Sequence, residues 1–250
     1  MMNLTLLSDI VLSSGNPALA VALFMLAILA VSFPGYHVIG SHMMRRMHRA
    51  SLLNGYADYW AHLLRRLLGF VLMGLLPLSL FAFGLELSPS HYGINLHDIP
   101  QSGLWMAILV PPIILLNYYV AGKPSNLRQY PQIRLMQWRR LDLLANFISW
   151  TIYLLGYEML FRGFLLFALY DAFGAPWAIT LNVVLYALAH IPKGAREMAG
   201  SIPFGVVLCL ITLSTGSFLA AFVIHASMAL SNEFFAITFH PDMTFKRFRP

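Results

Sequence analysis

Residues 143–170 read LLANFISWTIYLLGYEMLFRGFLLFALY, a stretch of 28 residues with only two charged side chains, Glu158 and Arg162. A helix needs about 20 predominantly apolar residues to cross the hydrocarbon core of a bilayer. This stretch is therefore predicted to span a membrane. A charge at that depth costs at least ~2.5 kcal/mol, so both charges are expected to face a bundle interior, a partner or a water-filled cavity.

The composition of the chain makes this helix part of a polytopic membrane protein. Charged residues are 10% of the 250 positions, hydrophobic residues are 59%, and the mean hydropathy is +0.70. Soluble domains average roughly 25% charged residues, so a soluble globule, a disordered chain and a nucleic-acid-binding chain are all excluded. Cys209 is the only cysteine, which excludes an internal disulfide and a cysteine-based zinc site.

Seven nearly charge-free segments predict an all-α bundle of about seven spans that forms one integral-membrane domain, residues 1–250. The segments are Asn16 to Tyr36, Leu67 to Leu85, Gly103 to Gly122, Leu143 to Tyr170, Ala175 to His190, Met198 to Leu213 and Ser217 to Ile237. The fifth and sixth are short, so their ends are the least defined.

The basic residues indicate the orientation of the bundle. Fifteen of the 16 Lys and Arg residues fall in alternate connections and in the tail, with Arg65 and Arg66 among those that follow span one. By the positive-inside rule, the N-terminus is predicted outside and the C-terminus in the cytoplasm. The first span has no basic region before it, so it is predicted to be a retained anchor.

Four titratable side chains within or at the ends of spans form the candidate site. Glu158 and Arg162, interpreted as the only charges deep in a span, are spaced i,i+4 and can pair. A structural ion pair and a functional pair are equally compatible with this spacing. His190 and His225 in later spans favour a polar site between helices. Possible supporting residues share their helix faces: Tyr186 lies i,i+4 from His190, and Asn232 lies seven residues after His225.

Several other schemes fail on their motifs. The sequence has no H-E-x-x-H zinc-protease helix and no G-x-S-x-G nucleophile elbow. A small transporter would need paired half-spans or an internal repeat, and neither is present. No standard zinc motif is found, but a divalent metal held by other ligands is not excluded. The cofactor is therefore unknown.

The motifs Tyr157 to Arg162, Tyr186 to His190 and His225 to Ala229 occur in this order on the fourth, fifth and seventh predicted spans. They resemble the signatures E-E-x-x-x-R, F-x-x-x-H and H-x-x-x-N of the CAAX-protease and bacteriocin-processing (CPBP) family of intramembrane proteases. The resemblance covers the CPBP-like core, residues 143–237. It implies hydrolysis of a peptide bond in or near the membrane. It also implies that His190 and the first glutamate activate water, while His225 and the asparagine bind the oxyanion.

Two positions depart from the family pattern. Tyr157 stands where the first glutamate is expected, and Ala229 stands where the asparagine is expected. A missing general base costs about 10²- to 10⁴-fold in rate, and a missing oxyanion donor costs about 10²- to 10³-fold. Glu158 could replace the base only from a rotated or overwound helix, and Asn232 could replace the donor only from roughly two turns away.

Two functions therefore stay open at this point. The first is a CAAX prenyl protease-like endopeptidase acting on membrane-associated substrates, with catalytic residues Glu158, Arg162, His190 and His225. The second is a degenerate family member that acts as a membrane adaptor or immunity-type binding protein. The expected partners are the lipid bilayer and a peptide or membrane-protein substrate, with no nucleic acid. The expected location is a bacterial cytoplasmic membrane.

Overall fold

The computed structural model describes residues 15–49 and 56–246, which form a bundle of long helices. The seven main helices are α1 (Pro17–Arg49), α2 (Tyr56–Gly84), α3 (Ile99–Ala121), α4 (Arg140–Phe173), α5 (Ala175–Ala189), α6 (Ala195–Thr215) and α7 (Leu219–Phe239). A helical turn, Pro124–Leu127, follows α3, and a 3-10 turn, Ile191–Lys193, follows α5. Two short parallel strands, β1 (Gln137–Trp138) and β2 (Thr244–Phe245), tie the segment before α4 to the segment after α7.

The predicted all-α class is confirmed, and the seven predicted segments lie on the seven helices. Within the described residues, six helices are long and apolar enough to cross a membrane. Helix α5 has 15 residues, about 22 Å at 1.5 Å per residue, which is less than the ~30 Å hydrocarbon core. The count of seven spans and the orientation of the termini therefore stay predictions.

Two helices extend beyond the predicted spans. Helix α1 does not end near Tyr36 but continues to Arg49, and α2 begins at Tyr56 instead of Leu67. Both extensions carry basic residues that were interpreted as part of a connection. A helix can hold such residues at its end because their charged groups reach the membrane surface or a neighbouring polar group.

Helix α4 is the centre of the bundle. Every residue from Gly156 to Leu166 is buried, and the helix packs against α1, α2, α5 and α7. A helix that is hydrophobic and buried on all sides belongs in the interior of an assembly. The two charges of this buried segment, Glu158 and Arg162, therefore lie in the protein interior and away from lipid.

The middle of α4 departs from regular α-helical geometry. Residues Met159–Leu165 form a π-helical segment, and Gly163 has φ −82° and ψ −105°, which is outside the helical region. The Asn182 side chain on α5 donates a hydrogen bond of 2.6 Å to the carbonyl oxygen of Phe161 within this segment. Asn182 in turn accepts a 3.3 Å hydrogen bond from the Cys209 thiol. Helix α5 thus satisfies a backbone group where the helix is irregular, and such segments are frequent at functional sites.

Helices α2 and α4 cross at two glycines. A Cβ atom added to Gly74 would lie 2.9 Å from the Gly156 Cα atom, and one added to Gly156 would lie 3.0 Å from the Phe70 Cα atom. Both obstructing atoms belong to backbone and cannot rotate away. The close approach of the two helices therefore requires glycine at both positions, as small residues commonly provide in membrane bundles.

We expect Gly74→Ala to lower the free energy of unfolding by about 1–3 kcal/mol, because the two backbones must separate to admit the methyl group. Thermal unfolding in detergent micelles measures this change. Gly103→Ala is the matched control, since a Cβ at Gly103 would meet nothing within 4 Å. Equal stability of the two variants would contradict the close crossing.

Candidate active site

Three helices bring the four predicted site residues to one region. Helix α4 supplies Glu158 and Arg162, His190 follows the last residue of α5, and α7 supplies His225. The Oε1 atom of Glu158 lies 2.6 Å from Nδ1 of His225, and its Oε2 atom lies 3.8 Å from Nε of Arg162. Both partners of the Glu158–Arg162 pair are fully buried. The carboxylate is therefore held between a guanidinium on its own helix and an imidazole on another.

The contact with Glu158 determines the tautomer of His225. A carboxylate oxygen can only accept, so Nδ1 of His225 donates to Oε1 of Glu158. The second ring nitrogen, Nε2, makes no hydrogen bond to any described residue, and the ring lines a cavity. The rings of Phe204 and Tyr157 pack edge-on against the imidazole, with centroids at 5.7 and 6.0 Å. His225 is thus fixed with an acceptor nitrogen available on the cavity wall.

His190 is held in a similar way by a different partner. Its Nδ1 atom donates to the backbone oxygen of Tyr186 at 2.9 Å, one turn earlier on α5. The Tyr186 ring packs against His190 at 4.6 Å and against the guanidinium of Arg162 at 4.2 Å. Tyr186 therefore links the imidazole at the end of α5 to the charged pair on α4.

The two histidines share one cavity of about 770 Å³. Tyr157, Ala229 and Asn232 also line it, whereas Glu158 and Arg162 do not. Glu158 lies behind His225 and reaches the cavity only through that ring. The carboxylate of α4 therefore contacts a cavity-lining histidine without lining the cavity itself, an arrangement that the sequence motif does not reveal.

The two substituted motif positions both lie on the cavity wall. The hydroxyl of Tyr157 is buried and makes no hydrogen bond to a described residue, and the Oδ1 atom of Asn232 is likewise without a described partner. Ala229 offers only a methyl group. The cavity therefore retains polar side chains close in sequence to the missing glutamate and asparagine, but it has no carboxylate at position 157.

A second polar cluster borders the cavity and was missed by the sequence analysis. Arg66 donates to the side chain of Asn146 at 2.6 Å and lies over the Trp150 ring at 4.3 Å. Asn146 donates to Glu233 at 3.4 Å, and Glu233 is fully buried in α7. The interpretation of Glu158 and Arg162 as the only charges deep in a span was therefore wrong. The position of Glu233 inside a predicted span was the sequence signal that could have identified this charge. Arg66 was placed in a connection, but it is buried because α2 begins earlier than predicted.

A third polar cluster, formed by Tyr130, Lys193 and Glu197, lines the cavity near the connections that follow α3 and α5. Tyr130 donates to Oε2 of Glu197 at 3.1 Å, and Lys193 pairs with the same oxygen at 3.9 Å. Burial, together with the Glu197 carboxylate, raises the pKa of Tyr130 well above its usual value. The Tyr130 hydroxyl therefore remains a hydrogen-bond donor at neutral pH.

Metal ligands are sparse in this arrangement. Within residues 15–49 and 56–246, no three or more His, Cys, Asp and Glu side chains are grouped so that they could hold a metal ion. Each candidate histidine already uses Nδ1 for a protein hydrogen bond. The site can therefore present two imidazole Nε2 atoms, a phenol and an amide to a ligand in the cavity.

A bundle of apolar helices around buried charges and a polar cavity defines an integral membrane protein. The family model described as Rce1-like, type II CAAX prenyl endopeptidase Rce1-like, matches residues 139–231. The matched segment contains all three motifs, so the resemblance to the CPBP family is confirmed. The searches of curated proteins and of solved structures gave no match.

Arg162→Met should destabilise the chain by about 3–5 kcal/mol, because it leaves the buried Glu158 carboxylate without its cation. Glu158→Gln in the same chain should recover a large part of that loss, since neither charge then remains. Thermal unfolding in detergent measures both variants. Arg128→Met, which removes an exposed arginine, serves as the control. A double variant no more stable than Arg162→Met would show that the two charges do not interact.

Proposed function

We propose that the chain is an intramembrane endopeptidase that hydrolyses peptide bonds of membrane-associated substrates through an altered catalytic site. The observation that carries this proposal is the 2.6 Å contact between Glu158 and His225 on a cavity that His190 also lines. A carboxylate bonded to Nδ1 fixes the imidazole tautomer and stabilises the imidazolium that forms when Nε2 accepts a proton. The family match supports proteolysis at the level of the family.

His225 is the proposed general base. A water in the cavity gives a proton to Nε2 of His225 as its oxygen bonds to the carbonyl carbon of the scissile peptide. The carbon–nitrogen bond then breaks, and His225 returns the proton to the leaving nitrogen. Glu158 stays ionised throughout, with the guanidinium of Arg162 as its counter-charge 3.8 Å from the second oxygen.

His190 is proposed to orient the attacking water. Its Nδ1 atom is committed to the Tyr186 carbonyl, so the neutral ring offers Nε2 as an acceptor for the second hydrogen of the water. This moves the proton-accepting role from His190, for which the family resemblance implies it, to His225, and it removes His225 from the oxyanion. The reassignment follows from the carboxylate, which contacts His225 and leaves His190 with a backbone partner. The hydroxyl of Tyr157 and the amide of Asn232 are the proposed donors to the developing oxyanion.

A second function is favoured by a different observation. Glu158 does not line the cavity, and Tyr157 and Ala229 occupy the wall positions of the expected glutamate and asparagine. A cavity that lacks the expected catalytic glutamate could bind a membrane peptide without cleaving it. This is the binding-protein alternative, an adaptor or immunity-type family member.

We expect His225→Ala, His190→Ala and Glu158→Gln each to lower kcat/KM by about 10²- to 10⁴-fold, because each removes or weakens the base or the group that orients the water. The assay uses purified protein with prenylated and unprenylated C-terminal peptides and with transmembrane reporter substrates. His97→Ala is the control, since it changes an exposed histidine in the connection between α2 and α3.

Wild-type protein that cleaves none of these substrates, together with a Tyr157→Glu, Ala229→Asn variant that does, would replace the endopeptidase proposal with the binding-protein alternative. Cleavage by the wild type that survives all three substitutions would exclude the proposed residues as its source.

We further propose a bacterial cytoplasmic membrane location with the C-terminal segment in the cytoplasm, because the basic connections alternate along the chain. In a Cys209→Ser background, a cysteine introduced at His97 should react with a membrane-impermeant maleimide on intact spheroplasts. A cysteine introduced at Lys246 should react only after permeabilisation. The opposite labelling pattern would reverse the orientation.

A further inference from the structure

The charges on the cavity wall are unbalanced. Arg65, Arg66 and Lys193 line the cavity, and Glu197 is the one carboxylate among the described residues that line it. Lys193 pairs with Glu197 at 3.9 Å. Arg66 is connected to Glu233 through the amide of Asn146. These contacts provide a carboxylate for Lys193 and for Arg66. Arg65 is the remaining cation on the cavity wall.

Arg65 contacts neutral groups. Its guanidinium donates to Nδ1 of His37 at 3.3 Å and to the sulfur of Met44 at 3.5 Å, and it lies over the Tyr36 ring at 4.9 Å. Its Nε atom is buried and has no hydrogen-bond partner, and no carboxylate lies within ion-pair distance of its guanidinium, in the part of the chain that the structure describes. A partly buried cation without a counter-charge is costly unless an anion binds beside it.

The fold holds this arginine in place. Gly40 on α1 makes room for its stem, since a Cβ at Gly40 would lie 2.9 Å from Cγ of Arg65. Helix α1 restricts the rotamers of Arg65, because its residues contact the aliphatic stem, the face of the guanidinium and its edge. A guanidinium fixed in this way loses little entropy on binding a planar oxyanion, so it is preorganised for a carboxylate.

A continuous row of rings connects Arg65 to the candidate active site. Tyr36 packs on Tyr153 at 5.5 Å, Tyr153 on Tyr157 at 6.0 Å, and Tyr157 on His225 at 6.0 Å. All of these rings line the same cavity. A peptide lying along this aromatic wall would place one part beside the histidines and another beside Arg65.

From this arrangement we infer that Arg65 forms an anion subsite that binds a carboxylate of the peptide substrate, at the end of the cavity lined by His37 and Tyr36. The inference rests on the proposed endopeptidase function, because it assumes that the peptide occupies the histidine-lined part of the same cavity. The carboxylate belongs either to an acidic side chain or to the C-terminus of the peptide. Both sources present the same planar oxyanion, which Arg binds through two parallel hydrogen bonds.

The test measures binding separately from cleavage. Fluorescent apolar peptides of one sequence are prepared with a free C-terminal carboxylate, with a C-terminal amide, and with a C-terminal amide plus one aspartate. Their affinities are measured by anisotropy in phosphatidylcholine nanodiscs, in a His225→Ala background that suppresses turnover. The variants are Arg65→Gln, Arg65→Lys and the control Arg128→Gln, which removes an exposed arginine that does not line the cavity.

We expect at least one carboxylate peptide to bind about 10- to 100-fold more tightly than the plain amide. The preference should disappear in Arg65→Gln, be reduced in Arg65→Lys and persist in Arg128→Gln. Comparison of the free carboxylate with the aspartate peptide identifies the source of the anion. Equal affinities of all three peptides for the parent protein, or a preference that survives Arg65→Gln, would overturn the subsite.

Two further outcomes separate this inference from the proposed function. Carboxylate-dependent binding without cleavage by the wild-type chain would leave the subsite standing and remove the endopeptidase proposal. Cleavage by the wild-type chain without any carboxylate preference would do the reverse. Enrichment of phosphatidylglycerol around the protein in mixed phosphatidylcholine–phosphatidylglycerol nanodiscs that depends on Arg65, with no effect of Arg65→Gln on peptides, would assign the cation to a lipid headgroup and overturn the subsite.

Discussion

The interaction on which this structure depends is the compensation of the Glu158 carboxylate in the centre of a membrane bundle. A carboxylate in a low-dielectric interior costs several kcal/mol unless a cation and hydrogen bonds offset that cost. Arg162 lies one turn later on the same helix, and His225 comes from α7, so the compensation requires two helices to be in register. Tyr186 on α5 then covers the guanidinium of Arg162. The polar contacts that neutralise one charge thereby join α4, α5 and α7 and place two histidines on a common cavity.

Apolar packing alone would not specify this register. Helices in lipid gain little from hydrophobic burial against each other, so close backbone approach and polar contacts decide how they pack. The structure uses both. Gly74 and Gly156 allow α2 to approach α4, while Arg66, Asn146 and Glu233 connect α2, α4 and α7 on another side of the bundle. The polar clusters around Glu158 and around Glu233 both contribute to the cavity wall, the first through His225 and the second through Arg66.

Much of the fold could be predicted from the sequence, because lipid imposes a simple rule on composition. Long charge-free segments had to be helices, and all seven lie where the structure has a helix. Helix ends were harder: α1 and α2 extend into arginine-rich segments, and charge does not distinguish a helical extension from a loop. Arg66 shows the consequence, since a residue predicted in a connection is buried against Trp150.

The identities of Glu158, Arg162, His190 and His225 followed from their cost at bilayer depth, but their relative geometry did not. The direction of Glu158 depends on a helix that turns π-helical at Met159, and the spacing of residues alone does not predict that change.

This geometry alters what the missing first glutamate means. In a scheme where that acid contacts the water directly, tyrosine at position 157 removes the base. In this fold another carboxylate, one residue later, contacts the histidine of α7 from behind, so a polarised imidazole remains on the cavity wall although position 157 carries no acid. Tyrosine at position 157 also leaves Glu197 as the one carboxylate among the described residues that line the cavity. The cation of Arg65 is then opposed within the cavity wall only by Glu197, which already pairs with Lys193. Tyrosine at position 157 therefore weakens the expected acid chemistry and also favours an anionic ligand. Both consequences have one physical cause, the absence of a carboxylate at that position.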